Sequence, residues 1–595
     1  MFSFLKYLII GFLFFLSISL SAQSNRFEKW TTRFEKSNYL ETETYAETMD
    51  YFKKLSDNSE IAKFIKIGTS PQGRDIMCLI VAKGKEFNPE SAKKSGKAII
   101  LIQNGIHSGE IEGKDASMIL LREVLVEKKY PKILNHVILL VIPIFNVDGH
   151  ERRSKYNRIN QNGPTGMGWR VTAQNLNLNR DYTKADTPEM KSVLKLFSSW
   201  LPDIYIDTHT TDGADYQYTI TYDISTYHNI PPQTRNWIKD IFKPYVNSKV
   251  EKDGFLIAPY AGFIDRKDIT KGIRGWVSGP RFSHGYAAIQ NRPGLLIETH
   301  MLKPYKQRVF ATLSLLKAVI SLANKDYEKL VKLNKQADKY EVQHFYNQHF
   351  AFPLSFKMND KFEYFNFKGI KSVQDSSWIT GSTVTKYTGK KETFRVPYYH
   401  QDKAVDSVYL PEAYIVPKEW SKIIPVMQLH GIEIDTLKES KKYNIEIYKF
   451  KDIKFPNYSY ESHFSPTFKY DVIQKTKIYP AGTFIINTNQ RTLGVIANLL
   501  EPKGRDSFVK WGFFNAIFER KEYFEEYSME PIAEKMAENN PKLKQEFLTK
   551  VNEDEKFRNN PRERLNFFYK RSPYYDSHYL VYPVARVPFK KEKSG

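Results

Sequence analysis

Four runs of consecutive apolar residues, each closing on polar ones, limit what this chain can fold into. They are KAIILIQNGIH (97–107), HVILLVIPIFNVDG (136–149), DIYIDTHTTDG (203–213) and GLLIETH (294–300). A strand with one wet face alternates apolar and polar residues, whereas an unbroken apolar run reads as a strand buried on both faces. Between the runs lie segments with helical spacing. EGKDASMILLREVLVEKK (112–129) lines up Met118, Leu121, Val124 and Leu125, DTPEMKSVLKLFSSW (186–200) opens on an acidic cap, and KQRVFATLSLLKAVISLANKDY (306–327) follows the last strand. Buried strands separated by helices predict an α/β fold, with a mixed, mostly parallel sheet sandwiched by helices.

At 595 residues the chain exceeds what one core usually supports, so two domains are expected. The texture changes beyond about residue 335. KFEYFNFKGIKSV, TKYTGKKETFRVPYY and KKYNIEIYKFKDI alternate like half-buried antiparallel strands, and helical patterning returns around FVKWGFFNAIFERKEYFEEYSMEPIAEKMAE. The expected organisation is a signal peptide over 1–22, an α/β domain over 30–330, and an accessory region over 340–595, β-rich and then helical. In that last region His344, His349, His400, His430, His463 and His578 stand apart and suggest no shared site.

The N-terminus has one early cation, Lys6, then YLIIGFLFFLSISLSA and a polar stretch from Gln23, which reads as a secretory signal cleaved after Ala22. No later stretch has the roughly 20 apolar residues of a spanning helix, so no membrane span is expected after cleavage. The expected location is secreted or periplasmic. Cys78 is the only cysteine, so a disulfide framework is excluded, and a metal site would have to come from His and carboxylates. The net charge of +22 is dispersed rather than gathered in a stripe, which argues against a nucleic-acid partner.

In open sheets of this class, ligands bind beyond the carboxyl ends of the strands. The four runs deliver His107, Asn146, His209 and Glu298 at or just past such ends. HSGE (107–110) sets an imidazole and a carboxylate three residues apart in a turn. Both suit zinc, whose catalytic sites take three protein ligands and keep a fourth position open. A third ligand must come from elsewhere, and His209 in DTHTTDG is placed to supply it.

Over roughly residues 50–320 the sequence resembles the zinc carboxypeptidase family typified by pancreatic carboxypeptidase A. HSGE matches the family's paired ligands, NVDG (146–149) looks like its Asn-Pro-Asp-Gly turn with Val147 for proline, and NLNLNRDY (175–182) looks like its Asn-Arg pair. The resemblance implies one zinc ion on His107, Glu110 and His209, with Glu298 as general base. It implies that Asn179 and Arg180 hold the free C-terminal carboxylate of a peptide substrate, which makes the enzyme exo-acting. Arg170 is the preferred donor to the developing oxyanion, Arg158 is its competitor, and Tyr286 is a candidate to close over substrate. Where many members have an acid orienting a zinc-bound histidine, this chain has Asn177; Asp207 stands two residues before His209 as a possible support. Two other functions remain open at this point. They are a deacylase of the aspartoacylase type and a non-catalytic protein that binds envelope polymers.

Overall fold

A computed structural model describes residues 29–589, so the proposed signal peptide lies outside the described residues. The chain divides into two compact units. The first runs to Glu412 and includes Lys422–Ile434 and Asn487–Ser507; the second comprises Ala413–Ser421, Asp435–Ile486 and the chain from Phe508 on.

The first unit is built on an eight-stranded sheet of β1 (Ala62–Thr69), β2 (Asp75–Val81), β3 (Ala98–Gln103), β4 (Val137–Ile142), β5 (Ile204–Thr210), β6 (Ile220–Ile224), β7 (Ile257–Pro259) and β8 (Gly294–Thr299). Their spatial order is β1-β2-β4-β3-β5-β8-β6-β7. β3 is parallel to β4 and to β5, and β5 is parallel to β8, so the four apolar runs all end on one edge. The antiparallel pairs β1–β2, β2–β4 and β8–β6 make the sheet mixed. Every residue of β3, β4, β5 and β8 is buried, as strands covered on both faces must be.

Two helical layers provide the cover. Alternate residues of the central strands, including Ile100, Ile102, Leu139, Val141, Ile206 and Ile297, join one core with α2 (Glu112–Leu125) and α5 (Tyr305–Lys325). On the other face, Tyr205 meets Phe197 of α3 (Pro188–Trp200), and Phe197 meets Tyr286 of α4 (Ser283–Ile289). α1 (Tyr45–Asp57) is fixed by a capping box between Thr44 and Glu47. The acidic cap expected for α3 is a threonine instead. Thr187 accepts from the Met190 N–H, while Asp186 accepts from Lys184.

After α6 (Tyr327–Glu341) the first unit continues with β9 (Phe352–Lys357), β10 (Phe362–Ser377), β11 (Ser382–Tyr399) and β12 (Lys403–Val408). β10 and β11 form a long antiparallel hairpin and β9 pairs with β12, as the alternating pattern predicts. The second unit holds an antiparallel sheet around Ile415, Ile445, Ile447 and Ala585, and a separate helical core around Met529, Phe557, Leu565 and Phe568. Its helices begin later than the apolar pattern suggests. Residues 508–525 form turns and a 3₁₀ piece (Asn515–Phe518), with Gly512 at φ +71°, and the first long helix starts at Glu526. Among the described residues, no helix is long and apolar enough to cross a membrane.

Glu341, the last residue of α6, gives the fold a pH dependence. It is buried near Gly494, and burial pushes its carboxyl up to about 8. The folded state therefore holds this proton more tightly than the unfolded chain. The associated stability is complete below the ordinary carboxyl pKa and is lost as pH rises toward 8, at about 1.4 kcal/mol per pKa unit. Glu341→Gln keeps the shape without a proton to lose. Its melting temperature should match the parent's near about pH 5 and exceed it near about pH 9. The comparison is made as variant minus parent because Glu35 and Glu151, held low by partners, shift stability the opposite way.

Candidate metal centre and its pocket

The loop after β3 turns at Gly105, which has φ +69° and no room for a side chain: a Cβ there would meet Ile111 at 2.9 Å. That turn carries His107 and Glu110 back over the sheet edge. His209 lies inside β5, one residue from its end, rather than in the loop beyond it, and Glu298 is its register partner on β8.

Three side chains converge there. His209 Nδ1 lies 2.9 Å from Glu110 Oε2, and His107 Nδ1 lies 3.2 Å from Glu110 Oε1. One donor atom from each of His107, Glu110 and His209 falls within 4.8 Å of the others, and all three residues are buried. The far nitrogens are occupied. His107 Nε2–H donates to Asn177 Oδ1 at 3.0 Å, and His209 Nε2–H donates to Asp207 Oδ2 at 2.8 Å. Those bonds orient both rings so that both Nδ1 atoms face the same point as the carboxylate. Two imidazole nitrogens and one carboxylate oxygen form a donor set suited to zinc, so the residues fit the ion.

The two histidines differ electrostatically because their supports differ. Burial pushes His107 down to about 4, since its partner Asn177 carries no charge. Burial also opposes protonation of His209, but the Asp207 and Glu110 carboxylates hold it well above its ordinary value. Glu110 is held well below the carboxylate range against its own burial, by the charge of Arg158 and by His107 and His209. Arg158 Nη2 approaches Glu110 Oε1 to 2.7 Å and Arg170 Nη1 approaches the same oxygen to 3.1 Å. Arg158 adopts φ +59° and its Nε donates to Gln161, whose amide donates in turn to the Gly109 carbonyl. A Cβ at position 109 would lie 2.5 Å from Arg158 Cγ, so the glycine between the ligands leaves the space that this arginine fills.

The pocket of about 450 Å³ over the centre is also lined by Arg180, Tyr260, Trp276, Phe282, His284 and Glu298. Burial pushes Glu298 up to about 8, with the Glu110 and Asp207 carboxylates adding to the effect and His209 and Arg170 opposing it. The Arg180 guanidinium lies over the Phe282 ring at 4.4 Å and donates to the Asn179 carbonyl at 2.6 Å. Asn179 Oδ1 accepts from the Ser283 N–H at 3.1 Å. His107, Glu110, Arg170, Asn179, Arg180, His209 and Glu298 therefore share one cavity, and Arg158 joins them.

Tyr286 does not. It faces the opposite way along α4, fully buried, with its hydroxyl bonded to His430 Nδ1 at 3.0 Å and to the Gln290 amide at 2.8 Å. That packing corrects the expectation that it closes over a substrate. It also makes His430 a core residue of the first unit. Tyr260, Trp276 and Phe282 supply aromatic wall instead.

The sequence of residues 48–254 matches the zinc carboxypeptidase family. This segment is a zinc carboxypeptidase domain. Over 487 residues the chain is 21% identical to carboxypeptidase 2 of Trichophyton rubrum, spanning 79% of this chain and 84% of that one. It is also 21% identical, over 490 residues, to carboxypeptidase 2 of Trichophyton equinum, with the same coverage. The fold is similar to a metallo-carboxypeptidase from Burkholderia cenocepacia with a TM-score of 0.36 and 14% identity, covering 48% of this chain and 70% of that one. By that match, the segment belongs with zinc-dependent peptide hydrolases of the carboxypeptidase type.

Proposed function

We propose that the chain is a secreted metallocarboxypeptidase that removes the C-terminal residue from peptides at a single zinc site formed by His107, Glu110 and His209. The observation that carries this reading is the convergence of both Nδ1 atoms on one carboxylate, in a cavity that also holds Glu298 and Arg180. Zinc bound there would supply Lewis acidity, polarising a carbonyl and making water acidic enough to ionise near neutral pH. Export is supported by the apolar run of the N-terminus.

The remaining chemistry belongs to the side chains. Arg180, seated on Phe282 and backed by Asn179, takes the α-carboxylate of the terminal residue, a task suited to the planar guanidinium fork. That grip sets which peptide bond lies over the centre. Glu298 accepts a proton from the water that attacks the scissile carbonyl carbon. As the C–N bond breaks, Glu298 returns that proton to the leaving amine. A carboxylate at the pocket wall suits a group that must first take a proton and then give it back. Arg170 lies beside Glu110 and donates to the oxyanion that develops on the carbonyl oxygen.

The test offers a blocked dipeptide, its C-terminally amidated analogue and an N-acyl amino acid. We expect rapid release of the terminal residue from the first only. Faster cleavage of the N-acyl amino acid would make the protein a deacylase, and equal cleavage of the amidated analogue would refute the carboxylate grip.

A further inference from the structure

The supports of the carboxylate clamp, Phe282 and Ser283, end a loop that is anchored far along the chain. The Asp506 carboxylate is fully buried. Its Oδ2 accepts the Arg281 backbone N–H at 2.9 Å, its Oδ1 accepts from Arg281 Nε, and Arg281 Nη2 donates to the Arg505 carbonyl at 3.3 Å. The loop is shaped around this group, because a Cβ on Gly279 would lie 2.9 Å from Asp506 Oδ2. One residue beyond Arg281, the Phe282 ring stacks with Arg180; at the next residue, the Ser283 N–H holds Asn179 Oδ1. Only two residues of backbone separate this ion pair from the groups that seat the clamp.

We infer that Asp506 is a positioning residue for the Asn179–Arg180 clamp, acting through Arg281 and the loop that carries Phe282 and Ser283. The ion pair fixes both the backbone and the side chain of Arg281, so the loop has little freedom at the point where it meets the clamp. Asp506 lies well outside the family-matched segment 48–254, within the 487–507 stretch that rejoins the first unit. This gives that stretch a functional task in addition to packing. The inference rests on the reading of Arg180 as the group that holds the substrate carboxylate.

The test uses the full-length, zinc-loaded protein and a blocked dipeptide. Asp506→Asn keeps an acceptor for the backbone N–H and removes the charge. KM should rise about 10-fold or more while kcat changes less than about 3-fold, the signature of lost binding that is common to ground and transition states. Arg180→Ala is the reference. If Arg180→Ala leaves KM unchanged, the clamp reading itself fails. If Arg180→Ala raises KM and Asp506→Asn does not, only the role of Asp506 is overturned.

The double variant Arg180→Ala/Asp506→Asn should bind substrate no worse than Arg180→Ala alone, because Asp506 acts only through the clamp. Additive KM penalties would overturn the inference and leave a purely structural ion pair. Should Asp506→Asn fail to fold, Arg281→Lys and Gly279→Ala probe the same contact. Arg281→Lys keeps the charge and should raise KM only slightly, whereas Gly279→Ala displaces the carboxylate and should raise it more. The reverse order would count against the proposal.

Discussion

Replacing Glu298 with glutamine is expected to lower kcat on the blocked dipeptide by about 100- to 10,000-fold, the range that a positioned proton-transfer group contributes. KM should stay within a few-fold, because the substitution leaves the proposed clamp of Arg180 and Asn179 in place. The isostere keeps the volume at a buried strand end, where β8 pairs with β5, so the fold should not suffer. Relative to the parent, the variant's stability should rise as the pH increases, since the parent's carboxyl, which burial pushes up to about 8, must ionise in a buried site while glutamine stays neutral. Zinc content measured on the purified variant should equal the parent's. An unchanged kcat would remove Glu298 from the chemistry and leave it as an ordinary buried acid.

The sequence carries the sheet well because a doubly covered strand leaves an unmistakable unbroken run, and four such runs with polar ends define both the layers and the edge. The residues that converge at the strand ends are legible for the same reason. Position at a strand end is a property of local sequence, and His107, Glu110, His209 and Glu298 each follow or end an apolar run. Asn177 and Asp207 are also legible as supports, since each sits two residues from a residue with an expected role.

What local sequence cannot supply is the direction a side chain takes once packed. Tyr286 lies close to Glu298 in the chain, yet α4 turns its ring toward Phe197 and His430. Tyr260, Trp276 and Phe282 reach the pocket from irregular positions between β7 and α4, where no periodicity marks an inward face. The Arg281–Asp506 pair spans 225 positions and leaves no trace in spacing at all. The change of texture near residue 335 is visible in composition, whereas the return of 422–434 and 487–507 to the first unit has no compositional mark.

Removing the metal should abolish hydrolysis, and one equivalent of zinc should restore it, while the zinc-free protein stays folded. The reason for the second expectation lies in how Glu110 is compensated. Its Oε1 faces Arg158 and Arg170, and its Oε2 accepts the Thr210 N–H at 3.1 Å, so no buried charge is stranded when the ion leaves. Unfolding should nevertheless shift upward with added zinc, by about 4 kcal/mol at a thousandfold excess over Kd. The supports make the argument specific to this chain. Asp207→Asn takes the negative charge from behind His209 and should weaken zinc binding by about 10- to 100-fold. Asn177→Asp places a charge behind His107, where the amide now supplies none, and should tighten it. Metal titration of both variants with a competing chelator measures the two shifts directly. Opposite signs are required if the two histidines bind through Nδ1 with Nε2 held from behind. Asp207→Asn binding zinc as tightly as the parent would mean that His209 is not a ligand in the orientation described.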